Sequence, residues 1–372
     1  MEIITEHFSK INVTLPEKDV HRKMEVFYNP LMKSQRNITL LLLNSIEKKH
    51  LNIADPLAGS GVRSLRFLRE LKKEKVQNLF VNDIKDNFSA VFENNLKSNS
   101  LKKTEALHIS QEEANLFLLN QINPNKDIPN FCGYFDYIDI DPFGSPNPFI
   151  NAAIARINRG GIMAITATDT AALTGTYPKV TQRKYWATPL KNYMMHEIGL
   201  RILIRKIQLM GVQFDKALIP ILSYHKDHYF RIFFQSIKGK KKSDEIISQH
   251  QFLLWNPITL ECKTSSQNSE SGFKVAGPLW IGKLFDHKLL AIMVKQNPFP
   301  EEKFFLTLLH EEAKHDTVGF YDLHEISRLC KCDSPKIDFV AKKLQGSRTH
   351  FSLTGIKTTK KIMDIKKIFI CF

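Results

Sequence analysis

Between Leu51 and Phe234 short apolar runs alternate with longer stretches whose apolar residues recur every third or fourth position. The runs at Leu51–Ala54, Asn78–Asn82, Ala106–Ile109, Tyr134–Ile140, Gly161–Thr166, Ala217–Tyr224 and Tyr229–Phe234 are rich in β-branched and aromatic residues and are bounded by turn formers. This rhythm predicts an α/β domain: a seven-stranded, mostly parallel sheet wound with helices on both faces.

The rhythm stops at Gly239–Glu245, GKKKSDE, which reads as a breaker and a domain boundary. The expected division is a first domain over 1–240 and a smaller α+β domain over 241–372. The second part opens with aromatic fragments, FLLWNP and GPLWIGKLF, and continues with helical patterns near Glu301–Lys314 and Tyr321–Cys330. No repeat of solenoid period is visible. The start, MEIITEHFSKINV, mixes charges with apolar residues, unlike a signal peptide, and no apolar run reaches the ~18 residues of a membrane span. A soluble, cytoplasmic protein without a membrane partner is expected.

Charge adds a partner class. Lys and Arg number 53 against 38 Asp and Glu, a formal +15, in a chain that is 43% hydrophobic. A folded, strongly basic protein of this kind suits a polyanion. Between Lys336 and Phe372 stand nine Lys or Arg and only two Asp. Cys132, Cys262, Cys330, Cys332 and Cys371 are scattered, with no C-x-x-C pair, which excludes a disulfide framework and gives no zinc-site pattern.

Chemistry concentrates after the predicted strands. In IADPLAGSGVRSLRFLRE, Ile53–Glu70, a strand ends in Asp55, Gly59 and Gly61 form G-x-G, and a helix opens at Val62. Glycines let the backbone turn sharply and approach a ligand at a helix N-terminus. Purely structural turns use them too. Ser64 stands where a dinucleotide-binding fingerprint has its third glycine. Asp83 ends the next strand, where a carboxylate accepts from ribose hydroxyls. Glu113 and Ala114 follow the third strand; an acidic group beside a small residue suits an adenine, and equally suits a charged helix start.

The stretch YIDIDPFGSPNPFI, Tyr137–Ile150, aims Asp141 at the carboxyl edge of the sheet, where ligands of such sheets bind. An exocyclic amine on a nucleobase has a delocalised lone pair, and a carboxylate that accepts its N–H localises the pair and takes the proton. Phe143 offers a stacking face for a flat base. Asp139 is expected one pleat further in, satisfied by neighbouring backbone or basic groups. Ahead of the sheet, MEVFYNPLMKSQRNITLLLL, Met24–Leu43, sets aromatic and basic residues before an apolar helix, either to close over a ligand or to pack on the sheet.

D-x-x-x-G-x-G resembles the first motif of class I S-adenosylmethionine-dependent methyltransferases, and D-P-F-G resembles the (D/N)-P-P-(Y/F) motif of nucleobase amino-methyltransferases. With V-F-Y-N-P-L-M-K (Val26–Lys33), D-I-D-P-F-G-S-P (Asp139–Pro146), T-A-T-D-T (Thr166–Thr170) and R-K-Y (Arg183–Tyr185), the resemblance becomes specific. It extends through H-E-I-G-L-R-I-L (His196–Leu203), Y-H-K-D-H-Y-F-R (Tyr224–Arg231), G-P-L-W-I-G (Gly277–Gly282), S-P-K-I-D (Ser334–Asp338) and R-T-H-F-S-L-T-G-I-K-T (Arg348–Thr358). The chain thus resembles the tRNA (guanine-26) N2-dimethyltransferase family in its archaeal form.

That resemblance implies a Rossmann-like class I methyltransferase domain, S-adenosyl-L-methionine as cofactor, tRNA as substrate, and a C-terminal tRNA-binding module; a monomer is expected. It places Arg36, Asp55, Gly59, Gly61, Arg66, Asp83, Glu113 and Ala114 at the cofactor, Asp141 as the catalytic carboxylate, Phe27 and Phe143 around the flipped guanine, and Arg348 on the RNA. The chain departs from the family in having Glu113 where Asp is frequent and Thr170 after T-A-T-D. Some relatives carry a cysteine-based zinc site; Cys262 alone builds none, and no metal is expected. Two other readings remain at this level: an adenine-N6 or other nucleic-acid amino-methyltransferase, and a non-catalytic tRNA-binding protein.

Overall fold

A computed structural model of the chain describes residues 2–13, 26–122 and 128–370. Met24, Glu25 and Cys371 lie outside these residues. The chain forms two compact units: Met1–Ala167 with Phe233–Ile237 and Gln296–Glu302, and Thr168–Ile232 with Lys238–Lys295 and Lys303–Phe372.

All seven predicted strands are present. After a hairpin of β1 (Glu2–Glu6) and β2 (Ser9–Val13), they are β3 (Leu51–Asp55), β4 (Val76–Asn82), β5 (Leu107–Ser110), β6 (Phe135–Ile140), β7 (Ile157–Ala167), β8 (Lys216–Lys226) and β9 (Tyr229–Lys238). Their order is β5-β4-β3-β6-β7-β9-β8. The pairs β4–β5, β3–β4, β3–β6 and β6–β7 are parallel. The sheet is that of a Rossmann-like methyltransferase, with further α/β elements after it.

The chain runs outward from β3 through β4 to β5, then returns to lay β6 and β7 on the other side of β3. The β3/β6 junction is therefore a switch point, where the connections leave in opposite directions and a crevice opens at the carboxyl ends. Both strands are buried, as parallel strands covered on two faces are. The helices of the first unit are α1 (Lys33–Ser45), α2 (Val62–Glu70), α3 (Phe88–Ser98), α4 (Ala114–Leu119) and α5 (Ile150–Arg156).

The hairpin, invisible in the sequence reading, docks on α3 through asparagines. Asn95 Oδ1 accepts from the Asn12 amide at 2.7 Å, and Asn99 Oδ1 from that of Lys10 at 2.8 Å. The alternation of Ser9, Ile11 and Val13 puts one face of β2 in the core.

In the second unit, α6 (Thr170–Leu173), α7 (Pro178–Tyr185) and α8 (Met195–Val212) precede β8. The stretch read as a breaker is itself helical, α9 (Lys240–Ile247). Its lysines and acids are good helix formers, and the true break is Gly239 at φ 148°. Two three-stranded sheets follow, ordered Cys262–Ser265, His250–Trp255, Lys274–Trp280 and Tyr321–Asp322, Ser352–Lys357, Ser347–Thr349. The predicted helical stretches appear as Lys303–Glu312 and Leu323–Cys330.

Stretches that made the resemblance specific meet in one buried network. Glu197, of H-E-I-G-L-R-I-L, accepts from Arg201 Nε at 2.8 Å, Lys357 Nζ at 2.9 Å and the Gly319 amide at 3.0 Å. Arg201 Nη1 donates to the carbonyls of Trp280 and Gly282 in G-P-L-W-I-G. Burial opposes the charge on Glu197, but its two cations dominate and hold its carboxyl down at about 2. Glu312 likewise accepts from Thr349 and from the backbone and ring of His350 in R-T-H-F. These buried contacts tie distant stretches of the second unit to one another. No helix among the described residues is long and apolar enough to cross a membrane.

Candidate active site

The turn after β3 is built as the sequence predicts. Gly59 and Gly61 have φ of 59° and 75°, left-handed values that disfavour other residues. A Cβ on Gly61 would lie 2.2 Å from the Phe92 ring, and one on Gly59 3.1 Å from Phe27. The turn delivers the chain into α2 with its N-terminus facing the carboxyl edge of the sheet.

Along that edge stand the carboxylates. Asp55 closes β3, buried, with Ser64 Oγ donating to it at 2.8 Å. Burial, with Asp139 and Asp141 nearby, raises it to about 7 against the opposing pull of Arg63. Asp83 follows β4; its Oδ2 accepts from the Gly59 amide at 2.8 Å and its Oδ1 from that of Lys85 at 3.2 Å. Burial raises its pKa, with the backbone donors opposing. Glu113, after β5, caps α4 by accepting from the amides of Asn115 and Leu116 at 2.8 and 3.0 Å. Ala114 begins α4, buried.

Asp141 follows β6. Its side chain is 18% exposed, and Arg63 Nη2 donates to its Oδ2 at 2.5 Å. Asp139 is fully buried, takes the Tyr137 hydroxyl at 2.5 Å, and lies 3.2 Å from Arg63 Nη1. Its expected basic partner is thus Arg63, a residue the sequence reading did not single out. The rings of Phe27 and Phe143 meet edge to face with centroids 4.4 Å apart, and Phe143 is 46% exposed.

Two expected cofactor residues have other partners here. Arg36 donates through Nε and Nη2 to Glu6 of β1, and Arg66 donates to Glu6 at 2.8 Å and to Glu70 at 2.9 and 2.8 Å. Arg66 is 0% exposed. Arg63 and Arg66 lie one turn apart on α2, one serving the strand-end carboxylates and the other the β1–β2 hairpin. Arg348, of the second unit, is half-buried with Nη1 3.9 Å from Asp338.

Among the described residues, Asp55, Asp139 and Asp141 all lie around the guanidinium of Arg63. The edge therefore favours a cation, and a nucleoside that carries one fits it well: carboxylates at consecutive strand ends for hydroxyls and amine, and glycines for close approach.

The model of the N2,N2-dimethylguanosine tRNA methyltransferase family matches residues 5–370. The chain belongs to that family. It is 37% identical to the tRNA (guanine(26)-N(2)/guanine(27)-N(2))-dimethyltransferase of Aquifex aeolicus, covering 99% of this chain and 95% of that protein. It is 33% identical to the tRNA (guanine(26)-N(2))-dimethyltransferase of Pyrococcus horikoshii, covering 96% of each. Among solved structures, Trm1 from Pyrococcus horikoshii in complex with S-adenosyl-L-methionine superposes with a TM-score of 0.84 at 30% identity, covering 99% of both chains. As a member of this family the chain is an S-adenosyl-L-methionine-dependent methyltransferase that forms N2,N2-dimethylguanosine in tRNA.

Proposed function

We propose that the methylated residue is guanine 26 of tRNA and that Asp141 is the carboxylate that receives the proton of its N2 amine. One observation carries the assignment of Asp141. Its Oδ2 is held by Arg63, while among the described residues its Oδ1 has no hydrogen-bond partner, and Phe143, two positions further along the chain, pairs with Phe27. An oxygen held ready in this way suits an amine on a flat base.

S-adenosyl-L-methionine bound at this edge would supply a sulfonium methyl group for the N2 nitrogen, its sulfur leaving as the neutral thioether. The N2 proton passes to Asp141 and then to solvent. Phe27 and Phe143 clamp the base. Their present edge contact leaves no room for a ring between them, so one side chain swings aside as the guanine enters. Asp55, Gly59, Gly61, Asp83, Glu113 and Ala114 form the nucleoside-binding edge. Arg36 and Arg66 reach the cofactor only if Glu6 yields one of its contacts.

We assign tRNA binding to the C-terminal segment, with Arg348 on the RNA. Lys336, Lys342, Lys343, Lys360, Lys361 and Lys367 are exposed, as phosphate contacts require. Lys357 is excluded from that role by its buried pairing with Glu197.

The test is product mapping. Labelled S-adenosyl-L-methionine and an unmodified tRNA transcript are incubated with the protein, and the digested nucleosides are separated. The account expects N2-methylated guanosine at position 26 and none in a transcript with adenine there. Label on adenine, or undiminished label in the substituted transcript, overturns it.

A further inference from the structure

Arg63 projects from the first turn of α2 with its guanidinium 6% exposed. Nη1 lies 3.2 Å from Asp139 Oδ2, and Nη2 donates to Asp141 Oδ2 at 2.5 Å. Nη2 also donates to Gln35 Oε1 at 2.6 Å, and the Gln35 amide nitrogen donates to Thr166 Oγ1 at 2.6 Å. A weaker contact joins Nη1 to Thr39 Oγ1 at 3.5 Å. The fork is thus braced from α1 while its charge is divided between Asp139 of β6 and Asp141 just after it.

We propose that Arg63 is the positioning residue of the proton-accepting carboxylate: it clamps Oδ2 of Asp141, balances Asp139 behind it, and leaves Oδ1 as the atom presented to the substrate amine. The inference rests on the assignment of Asp141 above and deepens it. A planar guanidinium makes this arrangement because its nitrogens donate in fixed, divergent directions. An ammonium offers one point charge and cannot hold both carboxylates and Gln35 in the same plane.

The charge arithmetic gives the arrangement its second effect. Around Arg63 stand Asp55 from β3, Tyr137, Asp139 and Asp141 at β6, Ser64 from α2, Gln35 and Thr39 from α1, and Thr166 from β7. Among these described groups Arg63 is the one that carries positive charge. Without it, three crowded carboxylates bind protons more readily, since like charges disfavour joint ionisation. The free oxygen of Asp141 is then occupied by a proton for part of the time, or turned away from the base.

The experiment compares kcat against pH for wild type, Arg63→Met, Arg63→Lys and Asp141→Asn, using the full chain with tRNA transcript. Cofactor affinity is measured by calorimetry and folding by thermal melting. Arg63→Met should lose about tenfold or more in kcat at neutral pH, and its acid limb should move upward by about one pH unit so that part of the loss returns at alkaline pH. Arg63→Lys should restore the limb but not the full kcat. A folded Arg63→Met with wild-type kcat and limb, or with a loss equal at every pH, overturns the inference. If Arg63→Met does not fold, Arg63→Lys decides: full wild-type kcat overturns the clamp, and a reduced kcat with an unmoved limb supports it. Full activity in Asp141→Asn overturns the reading beneath it. An inactive Asp141→Asn beside an unaffected Arg63→Met overturns the role of Arg63 alone.

Discussion

Glu6 is the residue whose removal most sharply tests how the first unit is held. It is buried, and accepts from Arg36 Nε at 2.7 Å and from Arg36 Nη2, from Arg66 Nη1 at 2.8 Å and from the Tyr28 hydroxyl at 2.9 Å. Burial opposes its charge, and the two arginines override this to bring its carboxyl from 4.5 to about 2. At about 1.4 kcal/mol per pH unit, such a depression is roughly 3 kcal/mol of stability. That agrees with the ~3–5 kcal/mol lost when a buried ion pair is broken and its partner left behind.

The sign follows from linkage. A carboxyl depressed in the folded state contributes fully above its unfolded value of 4.5 and loses the contribution as pH falls toward about 2. Glu6→Gln, which keeps the shape and removes the charge, should be destabilised by roughly 3 kcal/mol at pH 7. The gap from wild type should narrow to about half or less by pH 3. Native-state hydrogen exchange in mild urea, read on peptides covering 2–13, 33–45 and 62–70, measures this within the first unit. Equal protection in the two proteins at pH 7, or a difference that does not change between pH 7 and pH 3, refutes the reasoning.

Three further outcomes follow from the same geometry. Phe143→Ala should lower kcat/KM for tRNA about ten- to hundredfold, as expected for lost base stacking of ~1–3 kcal/mol, with cofactor affinity by calorimetry unchanged. Gly59→Ala forces a side chain onto a φ of 59° and against Phe27, and should weaken cofactor binding about tenfold or more in the same titration. Glu113→Ala removes the cap of α4 and should cost about 0.5–2 kcal/mol in denaturant unfolding. If Glu113 also accepts from the adenine, the cofactor dissociation constant rises as well; a stability loss alone assigns it only the cap.

The sheet was readable because its strands are largely buried, so Ala217–Tyr224 is a nearly unbroken apolar run, and Tyr134–Ile140 remains strand-like although Asp136 and Asp139 interrupt it. Asp55, Asp83, Glu113 and Asp141 were readable for a related reason: once strands are placed, residues at their ends are placed too. Arg63 and Arg66 show where this stops. They are three positions apart on α2 with the same side chain, and what separates them is that Glu6 lies beside one and Asp141 beside the other. Those neighbours are distant in sequence and are supplied by the hairpin and by the return of β6 next to β3. The hairpin was missed because Glu2 and Glu6 interrupt its apolar residues, and Glu6 is charged because it faces two buried arginines. The lysine run at Lys240–Lys242 does not break the chain, because charge by itself does not stop a helix; the disruption is at Gly239, just before it.

The central claim is that Asp141 accepts the proton of the guanine N2 amine, and single-turnover methylation by Asp141→Asn with saturating S-adenosyl-L-methionine tests it most directly. The variant retains shape and, by this account, cofactor binding within about twofold, because the cofactor is held by other residues. Its rate of N2-methylguanosine formation at position 26 should fall about a hundredfold or more and should not recover with rising pH. A rate within a few-fold of wild type, with the methyl group on the same nitrogen, would contradict the account.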